Sequence, residues 1–236
     1  MTTLMEINTN LIWQSLANAE TVAAEAYHYI LTAANQAIQT RGYFRIVLAG
    51  GNTPKQTYAL LTKANTNWSK WHIYYGDERC LPEEDVERNS KMAAYVWLDT
   101  VAIPPSQIHP IPAQLGAIVA AQRYTEIIQP ILPFDLVLLG LGEDGHTASL
   151  FPNHIHSLDE LVHPIFNAPK LPAERVSLGV AALSQTRELI FLITGRNKRE
   201  AVAAWQQGDN LPVAQIRSLD KATVLIEQAA IPNIPI

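Results

Sequence analysis

Asp144 and His146 place an acid and an imidazole two positions apart, in the stretch DLVLLGLGEDGHTASLFP from Asp135 to Pro152. Imidazole titrates near neutrality, so His146 can accept a proton and return it, as a general base does. Asp144 can hold the imidazole tautomer, and Asp77 is a second candidate for stabilising the imidazolium. Asp77 belongs to Gly76-Asp77-Glu78-Arg79, where Arg79 offers a fixed cation for a phosphate or carboxylate. An ordinary solvated loop is the alternative for those charged residues. Gly50-Gly51-Asn52-Thr53-Pro54-Lys55-Gln56 has the composition of an anion loop. Its glycines permit backbone approaches that a Cβ would block. Thr53 reads as an N-cap, Pro54 as the first helical residue and Gln56 as the end of a capping box. A helix beginning there presents free N–H groups and partial positive charge to an anion. The loop is neither a Walker A sequence nor a dinucleotide fingerprint. Lys55 is read as solvated. Together these groups point to an enzyme acting on a phosphorylated small molecule.

Other reactive residues lack partners for chemistry. Ser149 has no Gly-x-Ser-x-Gly elbow around it, which argues against a serine hydrolase. His154, His156 and His163 supply no clean zinc motif. Cys80 has no neighbouring base to make it a nucleophile.

The elements that must carry these residues follow from periodicity. Leu16, Ala19, Ala23, Ala26, Ile30, Ala33 and Ala37 alternate spacings of three and four, one face of a long helix. Strands are predicted at 44–48 and 71–75, with helices at 54–62 and 88–97. The segment IPPSQIHPIP must be a connector, because proline lacks the donor that helices and ladders use. An amphipathic helix follows at 114–128. The apolar run Leu136 to Leu139, closed by glycine, reads as a strand buried on both faces. Residues 153–174 read as a long irregular loop rich in His and Pro. Strands at 175–180, 188–193 and 222–226 and a helix at 197–206 complete the chain. Strands alternating with helices predict an α/β fold with a parallel sheet covered on both faces. Ligands bind beyond the carboxyl ends of such strands, which is where His146 and Gly50 fall.

Bulk properties bound the function. The chain has 236 residues, read as one domain over 1–236, with 48% apolar and 17% charged residues, so global disorder is excluded. A net charge of −5 without a basic run argues against nucleic acid as the main partner. An anionic substrate then requires a locally positive pocket. The single cysteine, Cys80, allows no intrachain disulfide and suits a reducing compartment. The N-terminal MTTLMEINTN shows no signal-peptide pattern, and no apolar run approaches the ~20 residues that span a bilayer. A soluble cytoplasmic protein is expected.

The succession GGNTP at 50–54, GDER at 76–79 with Asn89 downstream, and GEDGHTASLFP at 142–152 resembles the 6-phosphogluconolactonase family across most of the chain. A weaker likeness in TGRNKREAV, 194–202, puts Lys198 where related sugar-phosphate enzymes carry a phosphate-binding lysine. Its Gly-Arg-Asn-Lys spacing departs from the commonest lactonase pattern. Arg175, opening RVSLGV, resembles a family arginine near the phosphate. The resemblance implies a three-layer αβα sandwich with a mostly parallel, Rossmann-like sheet, shared with glucosamine-6-phosphate deaminases. It also implies hydrolysis of 6-phosphoglucono-1,5-lactone to 6-phosphogluconate in the oxidative pentose phosphate pathway, without metal or other cofactor. The implied catalytic set is His146, Asp77, Asp144 and Arg79. The implied substrate-binding set is Gly50, Gly51, Asn52, Thr53, Asn89, Gly145, Arg175 and Lys198. The expected partner is a phosphorylated sugar lactone, with no nucleic acid or membrane, bound by a monomer or weak homo-oligomer. Deaminase relatives follow their Asp-Gly-His loop with Asn-Glu-Pro, whereas this chain has Leu150, Phe151 and Pro152. Phe151 in place of the acid favours the lactonase over an isomerase or deaminase. A sugar-phosphate-binding regulator is the non-enzymatic alternative.

Overall fold

The computed structural model describes residues 11–232, so the N-terminal decapeptide read for a leader lies outside the described residues. In chain order its strands are β1 (Leu11–Leu16), β2 (Phe44–Leu48), β3 (Trp71–Tyr75), β4 (Asp77–Arg79) and β5 (Phe134–Gly140). There follow β6 (Val162–Ile165), β7 (Arg175–Leu178), β8 (Thr186–Ile193) and β9 (Lys221–Glu227). The α-helices are α1 (Ala19–Arg41), α2 (Asn52–Leu61), α3 (Asn89–Val96), α4 (Ala117–Ile128), α5 (Val180–Ser184), α6 (Arg199–Gln207) and α7 (Pro212–Gln215).

Six strands form a parallel sheet in the order β1-β9-β8-β5-β2-β3, flanked by helices, as the α/β reading expected. β5 lies between β8 and β2, and Leu136, Val137, Leu138 and Leu139 are all buried. Full burial of such aliphatic side chains contributes about 1.5–3 kcal/mol each, which is why an unbroken apolar run settles in the middle of the sheet. At the other end of β5, buried Asp135 accepts from Arg41 Nη2 at 2.7 Å and from the Arg45 backbone N–H at 2.7 Å. That carboxylate is structural.

β2 and β3 match their predicted spans. The long helix differs at its start: Leu16 closes β1, and α1 begins at Ala19 behind an Asn18 N-cap that exchanges hydrogen bonds with Thr21. Polar Gln14 and Ser15 break the apolar pattern of β1, an edge strand half in solvent, so its sequence reads weakly. α2 also starts earlier than expected. Gly51 is its N-cap and Thr53 lies within the first turn, without a side-chain cap.

The largest departure is a second sheet. β4, β7 and β6 pair antiparallel in that order, and α4 packs over β6 and β7. Residues 153–174, expected to be irregular, therefore contain a strand, and the segment at 175 joins this small sheet rather than the parallel one. GDER is not a solvated loop: Asp77 is 7% exposed and Glu78 is fully buried. Gly76 joins the sheets, its N–H donating to Leu48 O on β2 and its carbonyl accepting from Leu178 N on β7.

Candidate active site

From β2 the chain proceeds to β3 on one side, whereas from β5 it proceeds to β8 on the other. The strand order thus reverses between β2 and β5, and a crevice opens at their carboxyl ends. A cavity of about 300 Å³ occupies it. Gly50 and Gly51 line it after β2, Asp77 and Arg79 after β3, and Gly142 and His146 after β5. Lys198, Arg175 and Asn89 complete the expected residues on its wall, and Lys170 joins them without having been singled out in the sequence.

The β5 loop is shaped around the imidazole. A Cβ on Gly142 would fall 1.9 Å from His146 Nδ1, so only glycine lets the ring lie there. Gly145 turns the chain at φ +85°, where a side chain would also strike Leu211. Gly145 shapes the turn and is not among the residues lining the cavity. His146 Nδ1 lies 2.5 Å from Asp144 Oδ1, which also accepts the His146 backbone N–H at 3.1 Å. With Nδ1–H donated to the carboxylate, Nε2 is the nitrogen left unprotonated. Burial pulls the His146 pKa below its usual value and Lys170 adds to this, while Asp144 and Asp77 oppose it. Burial raises the pKa of Asp144, but the hydrogen bonds and charge of His146 outweigh this and hold it below the usual carboxylate range. Of the two acids considered for His146, Asp144 makes the contact.

Asp77 is fixed elsewhere. Its Oδ2 accepts from Ser149 Oγ at 2.6 Å and its Oδ1 from Asn89 Nδ2 at 3.0 Å. Asn89 is in turn wedged against the anion loop, since a Cβ on Gly50 would meet its Oδ1 at 2.1 Å. Glu78 faces away and accepts the N–H groups of Arg79, Asn89 and Ser90, anchoring the start of α3. Arg79 and Arg175 are directly opposed across the antiparallel pair. Like charges in that register repel. Both reach the cavity, and Arg79 Nε is buried without a hydrogen-bond partner among the described residues.

Asn52 and Thr53, expected on the substrate, stand at the first turn of α2 and are not among the residues lining the cavity. The Thr53 hydroxyl instead bonds Thr194 at 2.7 Å, fastening α2 to the end of β8. Tyr58 both accepts from Ala49 N and donates to Ala49 O, fixing the loop entry. Phe151 is buried beside His146, with ring centroids 4.8 Å apart. Cys80 has its thiol pKa pushed up to about 12 by burial, which removes it as a nucleophile. Among the described residues no three His, Cys, Asp or Glu side chains converge in a metal-holding group.

The family model for glucosamine-6-phosphate isomerases/6-phosphogluconolactonase matches residues 17–225. A 6-phosphogluconolactonase of Mycobacterium leprae is 33% identical over 93% of this chain and 96% of its own. That of Synechocystis is 36% identical over 79% of this chain and 81% of its own. The crystal structure of 6-phosphogluconolactonase from Thermotoga maritima superposes with a TM-score of 0.87 at 26% identity, covering 92% of this chain and all of the other.

Proposed function

Because the chain belongs to the family of glucosamine-6-phosphate isomerases and 6-phosphogluconolactonases, we propose that it hydrolyses 6-phospho-D-glucono-1,5-lactone to 6-phospho-D-gluconate in the oxidative pentose phosphate pathway. The observation that carries this reading is the sharing of one cavity by His146 and the Gly50-Gly51 turn. Relatives with that name, 33% and 36% identical and covered over 96% and 81% of their own length, support it.

In this mechanism the 6-phosphate sits on the backbone N–H groups of Gly51, Asn52 and Thr53, at the positive end of α2, with Lys198 and Arg175 beside it. Binding of that remote group fixes the lactone carbonyl near His146. His146 Nε2 takes a proton from water as the water oxygen attacks C1. Arg79, which lines the cavity, meets the oxyanion. Collapse breaks the bond from C1 to the ring oxygen, and His146 returns the proton to that oxygen. Asp144 stabilises the imidazolium directly. Asp77, held by Ser149 and Asn89, adds to the support of the imidazolium and balances Arg175. No metal or cofactor takes part. The same reading treats residues 1–236 as one catalytic unit working in the cytoplasm, as a monomer or weak homo-oligomer.

The test is a pH-controlled hydrolysis assay on freshly generated 6-phosphogluconolactone, corrected for spontaneous opening, with unphosphorylated gluconolactone as comparator. Turnover above background with strong preference for the phosphorylated lactone is expected. Tight binding without turnover, or ammonia release from glucosamine 6-phosphate, would overturn the assignment.

A further inference from the structure

Arg175 uses much of its guanidinium on the segment that precedes it. Nε donates to Pro172 O at 3.0 Å, and Nη2 to Lys170 O at 2.7 Å and, at longer range, to Leu171 O at 3.4 Å. The Ala168 N–H closes the base of this segment on Ala173 O at 2.9 Å. Residues 168–173 thus form a strap tied to the first residue of β7. The strap runs along the cavity: Lys170 and Leu171 both line it, and Leu171 is 88% exposed, which marks the mouth.

Lys198 lines the same cavity from the end of β8. Among the described residues neither ammonium makes an ion pair with a carboxylate. The fully exposed Glu143 is occupied by the Asn197 amide at 2.6 Å. Burial, and then the charge of Lys170, push the Lys198 pKa down against the pull of Glu143 and Asp144. Two cations without a fixed counterion, on one small cavity, suit a doubly charged anion, which a phosphate monoester approaches at neutral pH.

We infer that Lys170 is a substrate-binding residue that grips the phosphate together with Lys198, and that Arg175 is the positioning residue that ties down the strap carrying it. This rests on the phosphorylated-lactone reading above. Lysine suits the task because its compact charge sits on a long flexible stem, while arginine's planar fork suits simultaneous donation to several carbonyls.

The experiment compares Lys170→Ala, Lys170→Arg and Arg175→Lys on the phosphorylated and unphosphorylated lactones, and measures 6-phosphogluconate binding by calorimetry. Loss of a charge-assisted contact should raise KM for the phosphorylated lactone about 10-fold or more. The expected kcat stays within about 2-fold of wild type, because the contact is made equally in ground and transition states. Hydrolysis of the unphosphorylated lactone should not change, Lys170→Arg should recover most of the loss, and product affinity should fall in parallel. The double variant Lys170→Ala/Arg175→Lys should be little worse than the more damaged single variant, since Arg175→Lys keeps the cation beside the phosphate and removes only the fork that holds the strap. Equal losses on both lactones, or an unchanged KM and product affinity, would overturn the role of Lys170. Multiplying losses in the double variant would overturn the role of Arg175. Wild-type protein that binds 6-phosphogluconate but hydrolyses nothing would defeat the lactonase reading while the calorimetry still decides on Lys170; wild-type protein that does neither would defeat both.

Discussion

The parallel sheet reaches the cavity through turns, the antiparallel sheet through side chains. After β2 and β5 the chain leaves the large sheet on glycines, and those turns set out backbone N–H groups and the imidazole of His146. β4 and β7 carry Asp77, Arg79 and Arg175 as members of a paired ladder. A turn residue at the end of a buried strand can be replaced with little effect on the core beneath it. A buried charge within a ladder is bonded to its surroundings, so its replacement is felt by the fold. Chemistry and stability should separate in the first region and remain coupled in the second.

His146→Ala tests the separation most severely. Loss of a general base typically costs ~100- to 10,000-fold, so kcat should fall at least ~100-fold while the melting temperature hardly moves. Near-normal turnover in the background-corrected assay would remove His146 from its role. Asp77→Asn tests the coupling. It withdraws charge from two hydrogen bonds and from the neighbourhood of Arg175. Hydrogen bonds to charged groups contribute about 1.5–3 kcal/mol, so a loss of about that size in denaturant unfolding should accompany a fall in kcat. Full stability with lost activity would place Asp77 with His146 rather than apart from it. Gly50→Ala lies between the regions, since its Cβ would enter Asn89. Overpacking of this kind costs about 1–3 kcal/mol, and KM for the phosphorylated lactone should rise as well; an unaltered protein would show that Asn89 has room to move.

The smallest effect is a displacement along the pH axis. A His146 base with a depressed pKa loses activity only when pH falls through that lowered value, so the acid limb of kcat/KM should have its midpoint below about 6.5. Asp144 opposes the depression, so Asp144→Asn should shift the midpoint further down as well as reduce kcat. A limb above about 6.5, read from the pH profile of the wild-type protein, would contradict the burial of the ring.

The same division explains what could be read from the chain. The turns were legible because their signals are local: the Leu136–Leu139 run, the adjacent glycines at 50 and 51, and the Asp144-Gly145-His146 spacing each sit within a few residues. The small sheet was not. β4 spans Asp77–Arg79 and pairs with residues nearly a hundred positions later, and no periodicity in three residues announces such a partner. Lys170 escaped notice for a related reason. Nothing in Ala-Pro-Lys-Leu-Pro marks the lysine until Arg175 folds back on the carbonyls around it. Thr53 had the right residue type for a cap, but Gly51 begins the helix earlier and leaves its hydroxyl for Thr194.

Gly76 donates its N–H to one sheet and offers its carbonyl to the other. Amide hydrogens of Gly76 and Leu178 therefore lie along a single seam, and a fluctuation that parts the sheets lays both open to solvent together. A molecule bridging the two halves of the crevice should slow deuterium uptake at both positions in step, giving a readout of occupancy that requires no turnover.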